Sequence, residues 1–561
     1  MLHSRKLWSL LSMLMVLTLV VAACTPAATP TPPPTPTSIP RPEGHPLSYE
    51  AVRQAIAMGI NRQAIVDKFY PKGSIVASHF TPCAIPGGCE GEAWYAYDPA
   101  KAKQILADAG FGGGVDLTLA YRDVVRGYLP TPGKVAEEIQ AQLKELGINV
   151  TIEVQESGTF LDNASNGKLE IFLLGWGADY PDATNFLDSH FGIGANDSFG
   201  KKFDDVTTAL AKAASLSDQA ERNKLYAEAN TAIRLHVPMV PVAHGGSATV
   251  FQADVTGAHA SPLGNESFKG MAAPGKDTFV WMQNAEPLSL YCADETDGES
   301  LRACEQIFDP LLSYKVGGVE VEPGLATECT ANADLTEWTC KLRSGVKFSD
   351  DTPLTAKDVV ATYAAQWDKN HPLHKGNTGN FDYWTYLFTA FLEEKPATAT
   401  DTKYEAPNCD YGGLLKSIEA VDDLTVKFVM CAPDPAFPSK VAFSSLGIQS
   451  AAHLQATGGA PLDQTVGTGP YVVKDWVRGD SLTLEANPNY WGEAPKTKTV
   501  VFKWNSEAAA RLNALKAGEI QGMDNPDPND FEAIEGDSAL KLYPREALNI
   551  FYVGLNNNVQ K

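Results

Sequence analysis

The sequence predicts an α/β protein of two or three domains in which helices connect parallel strands. Three observations carry this. At 561 residues the chain is too long for a single core. Strand–helix–strand patterns recur at 115–154 and 500–520, and a helix crossover between two strands favours parallel pairing. The apolar runs at 171–174 and 237–242 lack alternation, as strands buried on both faces do.

Composition narrows the class. Charged residues make up 20% and hydrophobic residues 44%, an ordinary soluble balance, and the net charge of -23 argues against nucleic acid and against adhesion to anionic lipid. Arg5 and Lys6 precede an uncharged apolar run, Leu7 to Val21, followed by Ala22, Ala23 and Cys24. That order describes a secretory signal, residues 1–23. A Thr/Pro/Ala segment follows, and residues 24–46 read as an extended stalk. Nine cysteines less Cys24 leave eight, an even number in an exported chain. They fall in local couples, Cys83 with Cys89, Cys292 with Cys304, Cys329 with Cys340 and Cys409 with Cys431, and four disulfides are expected. Zinc is disfavoured, because no C-x-x-C and no Cys/His interleaving appears.

Folded sequence begins near Leu47. Val52, Ala55, Ile56, Ile60 and Ile65 recur at helical spacing, with Asn61 as a cap between two helices. Asp98-Pro99 opens a helix that Gly110 ends. A strand over 115–121, a helix from Gly133 to Gly147 and a strand over 148–154 follow. One helix is expected from Asp204 to His236, and the small-residue stretch Gly257 to Gly275 reads as a linker. In the second half, 328–358 reads as a hairpin, a turn at Asp350-Asp351 and a helix capped by Thr355. Phe381 to Leu392 is dense in aromatics, 466–496 gives two extended runs, and Asn549 to Asn558 is a strand.

Leu173 to Asp182, LLGWGADYPD, is the stretch with chemistry in it. A buried strand ending in Gly175 and Gly177 lets another backbone approach. Trp176 and a lone carboxylate, Asp179, at that exit suit an organic cation flanked by apolar groups. The same residues also fit a strand running into a turn, with Trp176 as a core lid.

The segments VGTGPYVVKDW…LEANPNYWGEAP, LRSGVKFSDDTPLTAKDV, YDPAKAKQILADAGF and LGWGADYPDATNF resemble the extracellular solute-binding proteins of the dipeptide, oligopeptide and nickel importer family. Asp351 stands where that family usually has glycine, and Ala183 where it often has proline. Cys24 after a small pair resembles a bacterial lipobox, which implies a lipid on its thiol and an extracytoplasmic protein anchored to the membrane. The resemblance implies a periplasmic-binding-protein-like fold of two lobes with an extra third domain. The order is rotated: segments seen here at 279–561 come first in the family, so the chain resembles a circular permutant. The domains expected are 47–240 as the ligand-binding lobe, 241–310 with 441–561 as the second lobe, and 311–440 as the third subdomain. The rotation places the new ends, Pro46 and Lys561, together at the hinge. It also leaves only the chain near 236–244 joining the lobes covalently.

By the same resemblance the function is a solute receptor of an ABC importer that closes on a peptide. It is a non-enzymatic, monomeric protein partnered by a permease. Its acid Asp179 pairs with the peptide's α-ammonium, Trp176 and Tyr180 line the pocket, and main chain pairs beside Gly175 and Gly177. Tyr383 and Trp384, in the run with Phe381 and Tyr386, fit either the opposite wall or, as the stronger reading, the core. Tyr552 is placed at the cleft. No arginine near Asp179 is assignable to a peptide carboxylate. An oligosaccharide receptor or a ligand sensor on the same fold is the alternative. No cofactor motif, P-loop, G-x-S-x-G or H-E-x-x-H pattern occurs. His371 with His374 reads as a loop feature, and Pro526 and Pro528 break any calcium loop around Asp524, Asp527 and Asp530.

Overall fold

The computed structural model describes residues 41–123 and 126–559. The signal segment, Cys24, most of the stalk and Lys561 lie outside the described residues. Among those described, no helix is long and apolar enough to cross a membrane.

Two sheets define the lobes. The first is six-stranded, in the order Ile75–Val76, Met239–His244, Asn549–Leu555, Ile171–Gly177, Val115–Arg122, Ile148–Gln155. Val115–Arg122 and Ile148–Gln155 pair in parallel across the helix Pro132–Glu145, as the pattern predicts. The second sheet is seven-stranded, and there the 500–520 unit is split. Its strands Thr499–Trp504 and Gly522–Asp524 both run parallel to Thr278–Gln283, which lies between them. A third, antiparallel sheet carries the hairpin of Ala326–Ala331 and Glu337–Leu342, in which Cys329 faces Cys340. All four expected disulfides are present: Cys83 is bonded to Cys89, Cys292 to Cys304, Cys329 to Cys340 and Cys409 to Cys431. Each closes a short loop within one body, so none crosslinks the lobes. The third sheet shares one continuous apolar core with the seven-stranded sheet, while the first lobe has its own. Each of the two bodies thus has its own main core, and a smaller cluster around Val250, Leu515 and Ile534 packs on the seven-stranded sheet.

Local chemistry explains the ends of elements. Asn61 and Asp98 accept the amides of Ala64 and Lys101 as N-caps. Thr355 and Asp358 form a reciprocal capping box. Asp351 has φ +69°, the left-handed conformation for which glycine is the ordinary choice. The helix expected over 204–236 is two, Asp204–Ala213 and Gln219–His236. Asp218 starts the second by accepting the Glu221 amide at 2.9 Å, so a capping acid outweighs continuous helix propensity.

Several expectations are corrected. The strand Met239–His244 continues the first sheet past residue 240, and Asn549–Leu555 lies at its centre, so the end of the range 441–561 belongs to the first lobe. The stretch 257–275 is not a loose linker. Phe268 and Met271 are fully buried, and Glu266 accepts from Arg302 and Arg545 at 2.7 Å each, while Asp524 accepts from the same two arginines at 2.7 and 2.8 Å. Only 274–278 is continuously exposed. The crossings between lobes are Gly245–Gly246 and 546–548, both covalently continuous. Asn549 ties them together: its Oδ1 accepts the Gly245 amide at 2.8 Å and its Nδ2 donates to the Gly245 carbonyl at 2.8 Å. The expectation of a severed crossing is overturned. Lys561 lies outside the described residues, but His45 and Asn556 meet on Glu170: His45 Nε2 is 3.0 Å from its carboxylate, and the Asn556 amide donates to its carbonyl at 3.0 Å. Glu170 precedes Ile171, which pairs with Leu555. The meeting point is thus one seven-residue strand, about 20 Å, from the hinge.

Candidate ligand-binding site

The strand Ile171–Gly177 ends at the gap between the lobes, and its last residues open on a cavity of about 620 Å³. Leu174, Gly175, Trp176, Gly177 and Asp179 line it from the first lobe, with Tyr552 from the neighbouring strand. Tyr383 and Tyr386, on the helix Asp382–Phe388 of the second body, line the facing wall. Trp176 and Tyr386 meet across the gap with ring centroids 6.3 Å apart.

Asp179 is held from behind by Asn185. The Asn185 Nδ2 donates to Asp179 Oδ2 at 2.9 Å, and Asn185 Oδ1 accepts the Asp179 amide at 3.0 Å and Trp176 Nε1 at 3.2 Å. No cation pairs with it among the described residues. Burial pushes its carboxyl up to about 6, and the Asn185 bond offsets only part of that rise. A carboxylate that is desolvated, hydrogen-bonded and unpaired favours a cationic guest.

Gly175 permits the close packing at the floor. A Cβ there would lie 2.3 Å from the Tyr128 ring and 2.4 Å from the Ile550 carbonyl oxygen. Gly177 has open space around it instead.

Tyr180, expected at the ligand, is elsewhere, and of the two readings of Trp384 the core one holds while the wall one does not. Tyr180 turns away from the cavity, is 5% exposed and packs with the second body's core, where Lys440 Nζ lies 5.4 Å from its ring centroid. The strand's alternation has ended at Gly177, so the turn rather than the sheet sets its direction. Trp384 is fully buried, with Nε1 donating to the Ala390 carbonyl at 3.1 Å and its ring against Phe388 and Trp367. Phe381 is also core. Helical spacing could have divided this run, since Tyr383 and Tyr386 stand three apart on one face and Trp384, Leu387 and Phe388 on another.

The structure also brings in residues absent from the sequence reading. Arg122, at the end of its strand, lines the same cavity, and its Nη2 donates to Tyr128 Oη at 3.3 Å. One arginine thus opens on the same cavity as Asp179. His190 and Phe199 close one flank. Among the described residues, no group of three or more His, Cys, Asp or Glu is placed to hold a metal, and His374 instead bonds the Ala365 carbonyl.

A cleft between two α/β lobes joined by adjacent crossings is the architecture of the two-lobed binding proteins. The model of the bacterial extracellular solute-binding proteins, family 5 middle, matches residues 33–198 and 320–561, and the chain belongs to that family, one of receptors and not enzymes. It is 30% identical over 296 residues to the dipeptide-binding protein of Escherichia coli, covering 51% of each chain. It is 30% identical over 292 residues to heme-binding protein A of Haemophilus influenzae, covering 50% of this chain and 49% of that one. A solved periplasmic binding protein of Helicobacter pylori, in complex with the peptide STSA, aligns with TM-score 0.40 at 29% identity, over 46% of this chain and 49% of that chain. The chain thus spans about half the length of the relatives it matches.

Proposed function

We propose that the protein is the extracytoplasmic solute receptor of an ABC importer, and that it takes short peptides with free ends between its lobes. The observation that carries this reading is that one cavity holds both Asp179 and Arg122. Arg122 stands two positions past Ala120, which pairs with Phe172, so it lies level with Leu174 on the neighbouring strand. A zwitterion with its ammonium at Asp179 and its carboxylate at Arg122 matches a charge at each end. Main chain beside Gly175 and Gly177 then gives affinity without side-chain choice. Relatives named as dipeptide- and di/tripeptide-binding proteins support the ligand class.

In this reading the lobes close on the ligand about Gly245–Gly246 and 546–548, with Trp176 meeting Tyr386. A lipid on Cys24 holds the monomeric receptor near its permease. The family's order is rotated, with the exposed 274–278 segment joining the former ends. The meeting of His45 and Asn556 on Glu170 supports this, and so does the coverage of only about half of each relative, which a rotated order gives in a sequential alignment. Native mass spectrometry of protein purified from cells tests the ligand class. A co-bound mass matching a di- or tripeptide is expected, lost in Asp179→Ala. A bound sugar, retained in Asp179→Ala, overturns the reading.

A further inference from the structure

The first-lobe sheet orders the cavity from side to side. Tyr552 lies directly across from Leu174, and Ile550 across from Trp176, so Leu174, Trp176 and Tyr552 share one face. Arg122 flanks Leu174 on the opposite side from Tyr552. His190 stands on the Tyr552 flank, with ring centroids 5.1 Å from Trp176, 6.0 Å from Tyr552 and 6.5 Å from Phe199. A peptide stretched between Asp179 and Arg122 therefore runs past His190, whose ring lines the same cavity and packs against Phe80 at 4.8 Å on its other side.

The chemistry of that ring is fixed by one hydrogen bond. His190 Nδ1 lies 2.8 Å from the Phe186 carbonyl oxygen. A carbonyl only accepts, so Nδ1 carries the proton and Nε2 presents a lone pair. Among the described residues, Nε2 has no protein partner, and it is not a polar atom sealed inside the core. Its ring lines the cavity, so Nε2 offers an acceptor beside the rings of Trp176, Tyr552 and Phe199, with Ser189, Asn196 and Ser198 on the same lining.

We propose that His190 is a specificity-determining residue, offering a neutral acceptor to a ligand side chain that combines an aromatic body with a hydrogen-bond donor, as tyrosine does. This rests on the short-peptide reading above. Burial holds the imidazole down at about 4, against the opposing pull of the Phe186 bond, so it stays neutral across the working pH range and does not recruit anions. The aromatic walls reward a flat ring, and Nε2 separates tyrosine from phenylalanine, which differ by one hydroxyl.

The test is calorimetric titration of the full chain with Ala-Tyr against Ala-Phe, and Tyr-Ala against Phe-Ala. The tyrosine peptide should bind about tenfold more tightly in one of the two pairs, and His190→Phe should bring that ratio to about one. In the unsubstituted protein, ¹⁵N spectra of labelled histidine should show the His190 Nε2 resonance shifting with the favoured tyrosine peptide and not with its phenylalanine counterpart. That readout stands whether or not the variant folds. Equal affinity within both pairs, a ratio surviving His190→Phe, or identical Nε2 responses would overturn the assignment while leaving the peptide reading intact. Failure of all four dipeptides to bind would overturn both.

Discussion

Asn185 grips Asp179 at two points, donating to its carboxylate at 2.9 Å and accepting its amide at 3.0 Å, with Trp176 Nε1 on the same oxygen. The anion and the aromatic wall are thereby fixed relative to each other before any ligand arrives. Asn185→Ala should weaken binding of Ala-Ala by about tenfold to a hundredfold through lost positioning. Calorimetry measures this, and an unchanged dissociation constant would show that Asp179 needs no support.

Asp179 carries a cost in the empty protein. Its folded-state carboxyl is raised to about 6, above the unfolded value, so its ionisation opposes folding. The penalty is absent below about pH 4 and complete above about pH 6. Asp179→Asn should therefore stabilise the unliganded protein at pH 7.5 by about 1–3 kcal/mol while abolishing peptide binding. Chemical denaturation of the two proteins checks the first effect; a destabilised variant would contradict it.

The same raised value sets the pH profile of binding. An ammonium guest favours the ionised acid, so binding releases a proton wherever the empty site is protonated. Affinity should be constant above about pH 7 and fall by up to tenfold per unit below about pH 6. Titration calorimetry in buffers of differing ionisation enthalpy reads that proton directly, and proton uptake would contradict the sign.

The Glu266–Arg302–Asp524–Arg545 cluster should behave as structure. Burial alone would raise Glu266, but Arg545 and Arg302 hold it below the usual carboxylate range. Removing one member leaves an unpaired buried charge, so Glu266→Ala should lose about 3–5 kcal/mol in denaturant unfolding. A change within about 1 kcal/mol would restore the linker reading of 257–275.

Legibility follows locality. The 173–182 segment announces itself because strand, glycines, indole and acid are consecutive. The cysteine couples are legible for the same reason, each pair standing close in the chain, as Cys83 and Cys89 do. Arg122 is hidden because sheet order brings it in from 57 residues before Asp179, and His190 because the short helix Leu187–Phe191 turns it back to the cavity 11 residues after. Tyr180 escapes the pattern because side-chain alternation is a property of strands and it stands in the turn beyond. The hinge has a local signal in Gly245-Gly246, a doublet between two apolar runs, yet its partner at 546–548 is visible only through Asn549. The proposed rotation rests on segment order, whereas the integrity of both crossings requires the sheet.

The rotation has its own test. A chain opened within 274–277, with its 559–561 end joined to His45 by a few residues, should fold and bind Ala-Ala like the parent, because His45 and Asn556 both contact Glu170. Circular dichroism and calorimetry check this, and a chain that cannot fold would contradict it.

The central claim is that a desolvated carboxylate at residue 179 receives the ammonium of a solute. Parallel titration with Ala-Ala and N-acetyl-Ala-Ala addresses it most directly, since acetylation removes that charge. The account expects the free dipeptide to bind and the acetylated one to bind at least about a hundredfold more weakly; equal affinity for the two would contradict it.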